Sequence, residues 1–153
     1  MAHLKKDNLK AMIKNIICEI DQIIRKNKWF DFHVLQYDSR KMIVAGGADL
    51  TYYHNLELIF EDIFFVSAYF NGWHTDTDKA VIEIPDVKLN KDLNIKFDIE
   101  QGYQLFIIHT EDYNNDIYIA AKRLTFNTDT VYYYEREGLK ENERLADFIK
   151  TKK

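Results

Sequence analysis

The chain has 153 residues, 46% of them hydrophobic and 14% aromatic, with one Pro, five Gly and a net charge of −4. That length and apolar content predict one globular domain, residues 1–153, with its own core, and they exclude a disordered or low-complexity chain. The charge is uneven: residues 49–116 carry 14 Asp and Glu against four Lys and no Arg, while both flanks are net basic.

In chain order, the first element is a long amphipathic helix. Leu9, Met12, Ile13, Ile16, Ile17, Ile20, Ile23 and Ile24 recur at steps of three and four, the spacing of one helical face. Asp7 fits an N-cap and Asn27-Lys28 an end. Cys18 falls nearly opposite the stripe, so it belongs on the solvent side, far from any base or helix start that would activate a thiolate.

The period then changes to two. Phe30, Phe32 and Val34 alternate with Asp31 and His33, and a turn at Asp38-Ser39 leads into Lys41–Ala45, which Gly46-Gly47 should break. Leu56–Phe60 and Ile63–Phe70 have the composition of central strands, with Glu61-Asp62 as a bulge or tight connection. Ala80, Ile82 and Ile84 form a strand that Pro85 ends. Leu93, Ile95, Phe97 and Ile99 alternate with polar residues and predict a strand with one wet face. Tyr103–His109, Ile117–Arg123, Leu124–Phe126 and Thr130–Glu135 follow, and Leu145, Phe148 and Ile149 mark a short C-terminal helix.

No helical crossover separates these strands, so the predicted sheet is antiparallel. The fold class is α+β: one long N-terminal helix packed on a curved antiparallel sheet of about eight strands, with a short C-terminal helix.

Compartment follows from what the residues lack. No apolar run follows the first lysines, no stretch approaches roughly 18 apolar residues, and the lone Cys18 has no disulfide partner. A cytoplasmic protein with no membrane contact is expected. Sixteen Lys against five Arg, with 18 Ile and 11 Asn, fit an A/T-rich, bacterial coding sequence.

Several groups have the residue types for chemistry. His74, Asp76 and Asp78 share a face in extended chain and form a weak ligand set for a divalent cation, in a stretch that equally fits a solvated hairpin loop. Asp112–Asp116 opens like a calcium loop but has Ile117 at the sixth position and Arg123 at the twelfth, so a β-turn fits better. The pairs Glu61-Asp62 and Glu111-Asp112 point to opposite faces within each pair, so an acid/base dyad needs one member of each, with His54 or His109 nearby. Ser39 and Ser67 lie in no nucleophile motif, and no phosphate-cradling glycine loop is present. The aromatics of the middle segment come with carboxylates, which repel a phosphate backbone, so no nucleic acid is expected.

Two functions fit this pattern. The first is a non-enzymatic protein-interaction module with no cofactor, of the immunity or antitoxin type, whose acidic and aromatic surface neutralises a basic protein partner such as a toxin. Its expected surface is Glu57, Glu61, Asp62, Trp73, His74, Asp76, Asp78, Glu111 and Asp112, with Trp73 either the anchor or a core residue. The second is a small enzyme or ligand-binding protein with a pocket between helix and sheet and a cation at His74, Asp76 and Asp78.

Overall fold

The computed structural model describes residues 2–150. Helix α1 spans Ala2–Arg25, so Asp7 lies inside the helix and is not its cap. Its end is closed by Asn27, whose amide donates to the carbonyls of Ile23 and Ile24. Ile13, Ile17, Ile20 and Ile24 are buried and Ile16 and Ile23 half-buried, while Leu9 and Met12, nearer the N-terminus, stay exposed. The apolar stripe is therefore covered only over its second half. Cys18 is exposed, on the face opposite that packing.

The main sheet has seven antiparallel strands in the order β5-β1-β2-β4-β8-β7-β6, curled into a half-barrel. These are β1 Trp29–Tyr37, β2 Lys41–Gly47, β4 Leu56–Ser67, β5 Trp73–Asp76, β6 Ile82–Glu83, β7 Gln104–Ile108 and β8 Ile117–Asn127. A second sheet, in the order β10-β9-β3, joins β3 Tyr53–His54, β9 Thr130–Tyr132 and β10 Glu143–Leu145. The α+β class and the antiparallel main sheet agree with the sequence. The pairing of β10 with β9 does not: it is parallel. Residues 133–142 return the chain to the same end without a helix.

The inner face of the curl holds the core. Ile20 and Ile24 of α1 pack among Phe30, Phe32, Leu58, Phe60, Phe106 and Ile119. Gly46 sits inside β2 and does not break it. A Cβ there would stand 2.4 Å from the Phe30 ring, so glycine is required by close approach. Gly72, with φ +104, leads into β5, where a Cβ would meet the Phe32 carbonyl at 2.5 Å. The irregularity expected at Glu61-Asp62 falls slightly later: Asp62 has φ 53, but the register against β8 holds through Ile63 and shifts at Phe64, within the one strand β4.

The largest correction concerns Leu93–Ile99. This segment is not a strand. Helix α2 spans Val87–Lys96, started by Asp86, whose carboxylate accepts the Leu89 N–H at 2.8 Å. The alternating pattern also places Leu93 and Phe97 four residues apart, on one helical face, and the cap after Pro85 decides between the two periods. Leu93 and Phe97 cover Leu105, Ile107 and Ala120 on the outer face of the main sheet. Helix α3, Asp147–Lys150, ends the described chain. No helix of the described residues is long and apolar enough to cross a membrane.

Candidate functional site

Strand β5, at one edge of the curled sheet, meets the segment that follows β7. The Glu111 N–H donates to the His74 carbonyl at 2.9 Å, and the Thr75 hydroxyl donates to the His109 carbonyl at 2.9 Å. Strand β5 and the segment after β7 thus form a seam, and the alternation of β5 decides what faces out along it. Trp73 and Thr75 point inward and are buried; His74 and Asp76 point outward.

On the outer side of the seam two histidines are each held between carboxylates. His74 Nδ1 lies 2.6 Å from Asp31 and its Nε2 lies 3.6 Å from Glu111, while its backbone N–H donates to Asp112 at 2.9 Å. His109 Nε2 lies 2.7 Å from Glu83 and its Nδ1 lies 3.0 Å from Asp116. His109, with an acceptor in hydrogen-bond distance of both nitrogens, needs two N–H donors, which only the imidazolium has. The hydrogen bond to Asp31 raises the pKa of His74 above its ordinary value. At His109 burial pulls the pKa down, but Glu83 and Asp116 outweigh it and the net shift is upward. Asp31, Glu83, Glu111, Asp112 and Asp116 have no Lys or Arg side chain within ion-pair distance among the described residues.

The nine expected surface residues divide. His74, Glu111 and Asp112 come together at the seam. Asp76 is nearby on β5, where its carboxylate accepts the Asp78 N–H at 2.9 Å, and Arg25 donates to the carbonyl of Asp78 at 3.1 Å. Glu61 and Asp62 are tied to Arg123, at 3.1 and 2.9 Å, so their charge is compensated. Glu57 and Trp73 are not surface residues. Trp73 is 3% exposed and its ring stacks on Phe32 with centroids 5.4 Å apart, which makes it a core residue. Asp31, Glu83, His109 and Asp116 were not singled out as partner contacts. They come from separate strands and turns, and only the closing of the curl collects them.

Glu57 belongs to a buried network between the two sheets. His54, fully buried, places Nε2 2.9 Å from Glu57 and Nδ1 2.7 Å from the Tyr133 hydroxyl. His33 Nε2 lies 3.1 Å from the same hydroxyl, and Arg144 pairs with the other oxygen of Glu57. Burial pushes the Glu57 carboxyl up, but its bonds to His54 and Arg144 outweigh that, and it is lower than an ordinary glutamate. The ionised Glu57 accepts from His54 Nε2–H, and the Tyr133 hydroxyl bridges His54 Nδ1 and His33 Nε2. Hydroxyl, imidazole and carboxylate at these distances have the outline of an activated nucleophile. The ionisation runs the other way. Burial and the Glu57 charge push Tyr133 up to about 12, so its hydroxyl stays protonated at neutral pH and bridges His33 and His54.

The cation reading has no geometric support. Among the described residues no three His, Cys, Asp or Glu side chains are placed to hold one metal ion. His74 turns to Asp31, while Asp76 is engaged with the backbone of Asp78. The Asp112–Asp116 segment also disperses its carboxylates, Asp112 to His74 and Asp116 to His109. The contact between α1 and the main sheet is filled by side chains; the hollow at its margin, about 560 Å³, is a polar cleft lined by Asp21, Arg25 and Asp78. No protein-family model matches the chain, and no curated protein or solved structure matches it either.

Proposed function

We propose that this protein is a non-enzymatic interaction module that binds a basic protein partner through the acidic seam, in the manner of an immunity protein or antitoxin. One observation carries the reading: five carboxylates gather around His74 and His109, and among the described residues none of them is in ion-pair contact with a Lys or Arg. Uncompensated charge on one face costs self-repulsion and is useful when an oppositely charged surface arrives. The two imidazolium rings partly offset the repulsion and hold the carboxylates in fixed positions, which lowers the ordering cost of association.

The reading sets a pH and a salt dependence. Deprotonating His74 and His109 makes the seam more negative, so affinity for a basic partner should rise as pH passes upward through their raised pKa values. Association should be fastest at low salt and fall as the Debye length shortens to about 10 Å at 0.1 M. The test is binding to the product of the adjacent open reading frame, where an immunity gene would have its toxin. A basic product that binds with this salt dependence supports the proposal; a product that does not bind at low salt overturns the immunity form of it.

A further inference from the structure

The second sheet carries a feature that the seam does not use. An open groove of about 710 Å³ runs beside β3 and β9, walled by Tyr52, Tyr53, Tyr132 and Tyr134, with Arg136 at one side. Three of these tyrosines are well exposed: Tyr52 at 64%, Tyr134 at 40% and Tyr53 at 37%. Their rings contact one another edge-on or tilted, at centroid distances of 5.5 to 6.3 Å. Tyr52, Tyr53 and Tyr134 thus present exposed ring surface to the open volume.

Arg136 is held in place. Its guanidinium lies over the Tyr132 ring, 4.4 Å from the centroid, and one nitrogen donates to the Tyr134 hydroxyl at 3.1 Å. The Tyr132 ring is fixed in turn, because its hydroxyl donates to Glu143 at 2.6 Å and Glu143 also accepts the Lys140 N–H at 2.9 Å. Among the described residues no carboxylate forms an ion pair with Arg136, although Glu135 and Glu137 are its sequence neighbours. A guanidinium has five N–H donors in a planar fork, and only one of them is used here. A fixed arginine with free donors beside exposed aromatic faces is suited to a ligand with a flat ring and an anionic group. Asn55 and Thr130 line the same groove and supply polar contacts for the edge of such a ring. The volume lies within the roughly 300–1,000 Å³ of small-molecule sites.

We infer that this groove is a binding site for a small planar ring carrying a phosphate or carboxylate, with the ring stacked on the tyrosines and the anion paired to Arg136. It is independent of the seam and stands or falls separately from partner binding.

The test is titration of the full chain, followed through the tyrosine ring resonances, with two arms that separate the sources of the anion. One arm uses the four common nucleoside 5′-monophosphates; the other uses indole-3-acetate and 4-hydroxybenzoate. Adenosine, indole and inorganic phosphate serve as controls. Expected is saturable binding by members of at least one arm that shifts Tyr52, Tyr53 and Tyr134. Arg136→Gln should weaken it about tenfold or more, as a lost charged hydrogen-bond pair does. Tyr134→Ala should weaken it several-fold. Both side chains are exposed, so both variants should melt with the wild type; Arg136→Lys, which keeps the charge but not the fork, is a second probe and should bind at an intermediate strength. No shift of these tyrosines by either arm overturns the inference. So does binding that Arg136→Gln leaves unchanged, or inorganic phosphate binding as tightly as the ring-bearing anions.

Discussion

Two regions of this molecule are built from the same residue types and ionise in opposite senses. At the seam, His74 and His109 lie among carboxylates near solvent, and both pKa values are raised. Between the sheets, burial lowers His33, and His54 is enclosed by Tyr133 and Glu57. The number of acceptors and the depth of burial account for the difference. A ring with carboxylates at both nitrogens is stabilised as a cation, whereas burial disfavours the cation of His33. The first arrangement leaves charge on the surface; the second uses charge to lock two sheets together.

The contrast can be broken from the buried side with the largest effect. Glu57→Ala removes the acceptor of both His54 and Arg144; because Arg144 is partly exposed and keeps some hydration, the expected loss is about 2–4 kcal/mol, measured by denaturant unfolding. Tyr133→Phe deletes the bridge alone and leaves His33 and His54 short of one bond, at a cost of about 1–3 kcal/mol in the same assay. At the seam, His74→Ala should cost about 1 kcal/mol or less, because the pair it breaks is partly exposed and screened.

pH sharpens the comparison further. The stability contributed by His74 and His109 is complete below about 6.5 and is lost as pH rises through their raised values. The network behaves in the reverse sense. Protonation of His33 is disfavoured in the fold, so its penalty grows as pH falls from about 6.5 toward its lowered value. The contribution of Glu57, present above about 4.5, disappears as pH falls through its lowered value. NMR titration of the histidines should therefore give His74 and His109 midpoints above the ordinary value and a His33 midpoint below it. Equal midpoints would remove the distinction.

Much of the scaffold was legible in the chain, for identifiable reasons. The Ile stripe of α1 spans enough residues for its period to stand out, whereas β4 and β8, each read from the sequence as two segments, are single continuous strands. Strands β3, β9 and β10 are two or three residues long, too short to show a period, and the parallel pairing they contain could not be anticipated from connection length. Helix α2 was misread because Leu93–Ile99 satisfies both periods and the deciding signal was the Asp86 cap. The acidity of residues 49–116 pointed to the seam, yet Asp31 lies outside that segment and joins it through β1–β5 pairing. Trp73 was ambiguous because Asn71-Gly72 before it suggests a loop, whereas it enters an edge strand whose alternate residues face the core. The buried network was invisible, since it needs residues 33, 54, 57, 133 and 144 brought together by tertiary pairing.

The seam proposed to bind a partner and the buried network between the sheets are separable, and one paired measurement tests that separation. Glu111→Lys/Asp112→Lys and Glu57→Gln are each compared with the wild type for melting temperature and for affinity at low salt toward the proposed partner, the product of the adjacent reading frame. The account predicts that the seam variant melts close to the wild type, its stability changed by about 0.5 kcal/mol or less, and loses binding by about tenfold or more. It predicts that Glu57→Gln melts lower and, while folded, binds as before. A seam variant that binds with unchanged affinity, or a folded Glu57→Gln protein that has lost binding, would contradict it.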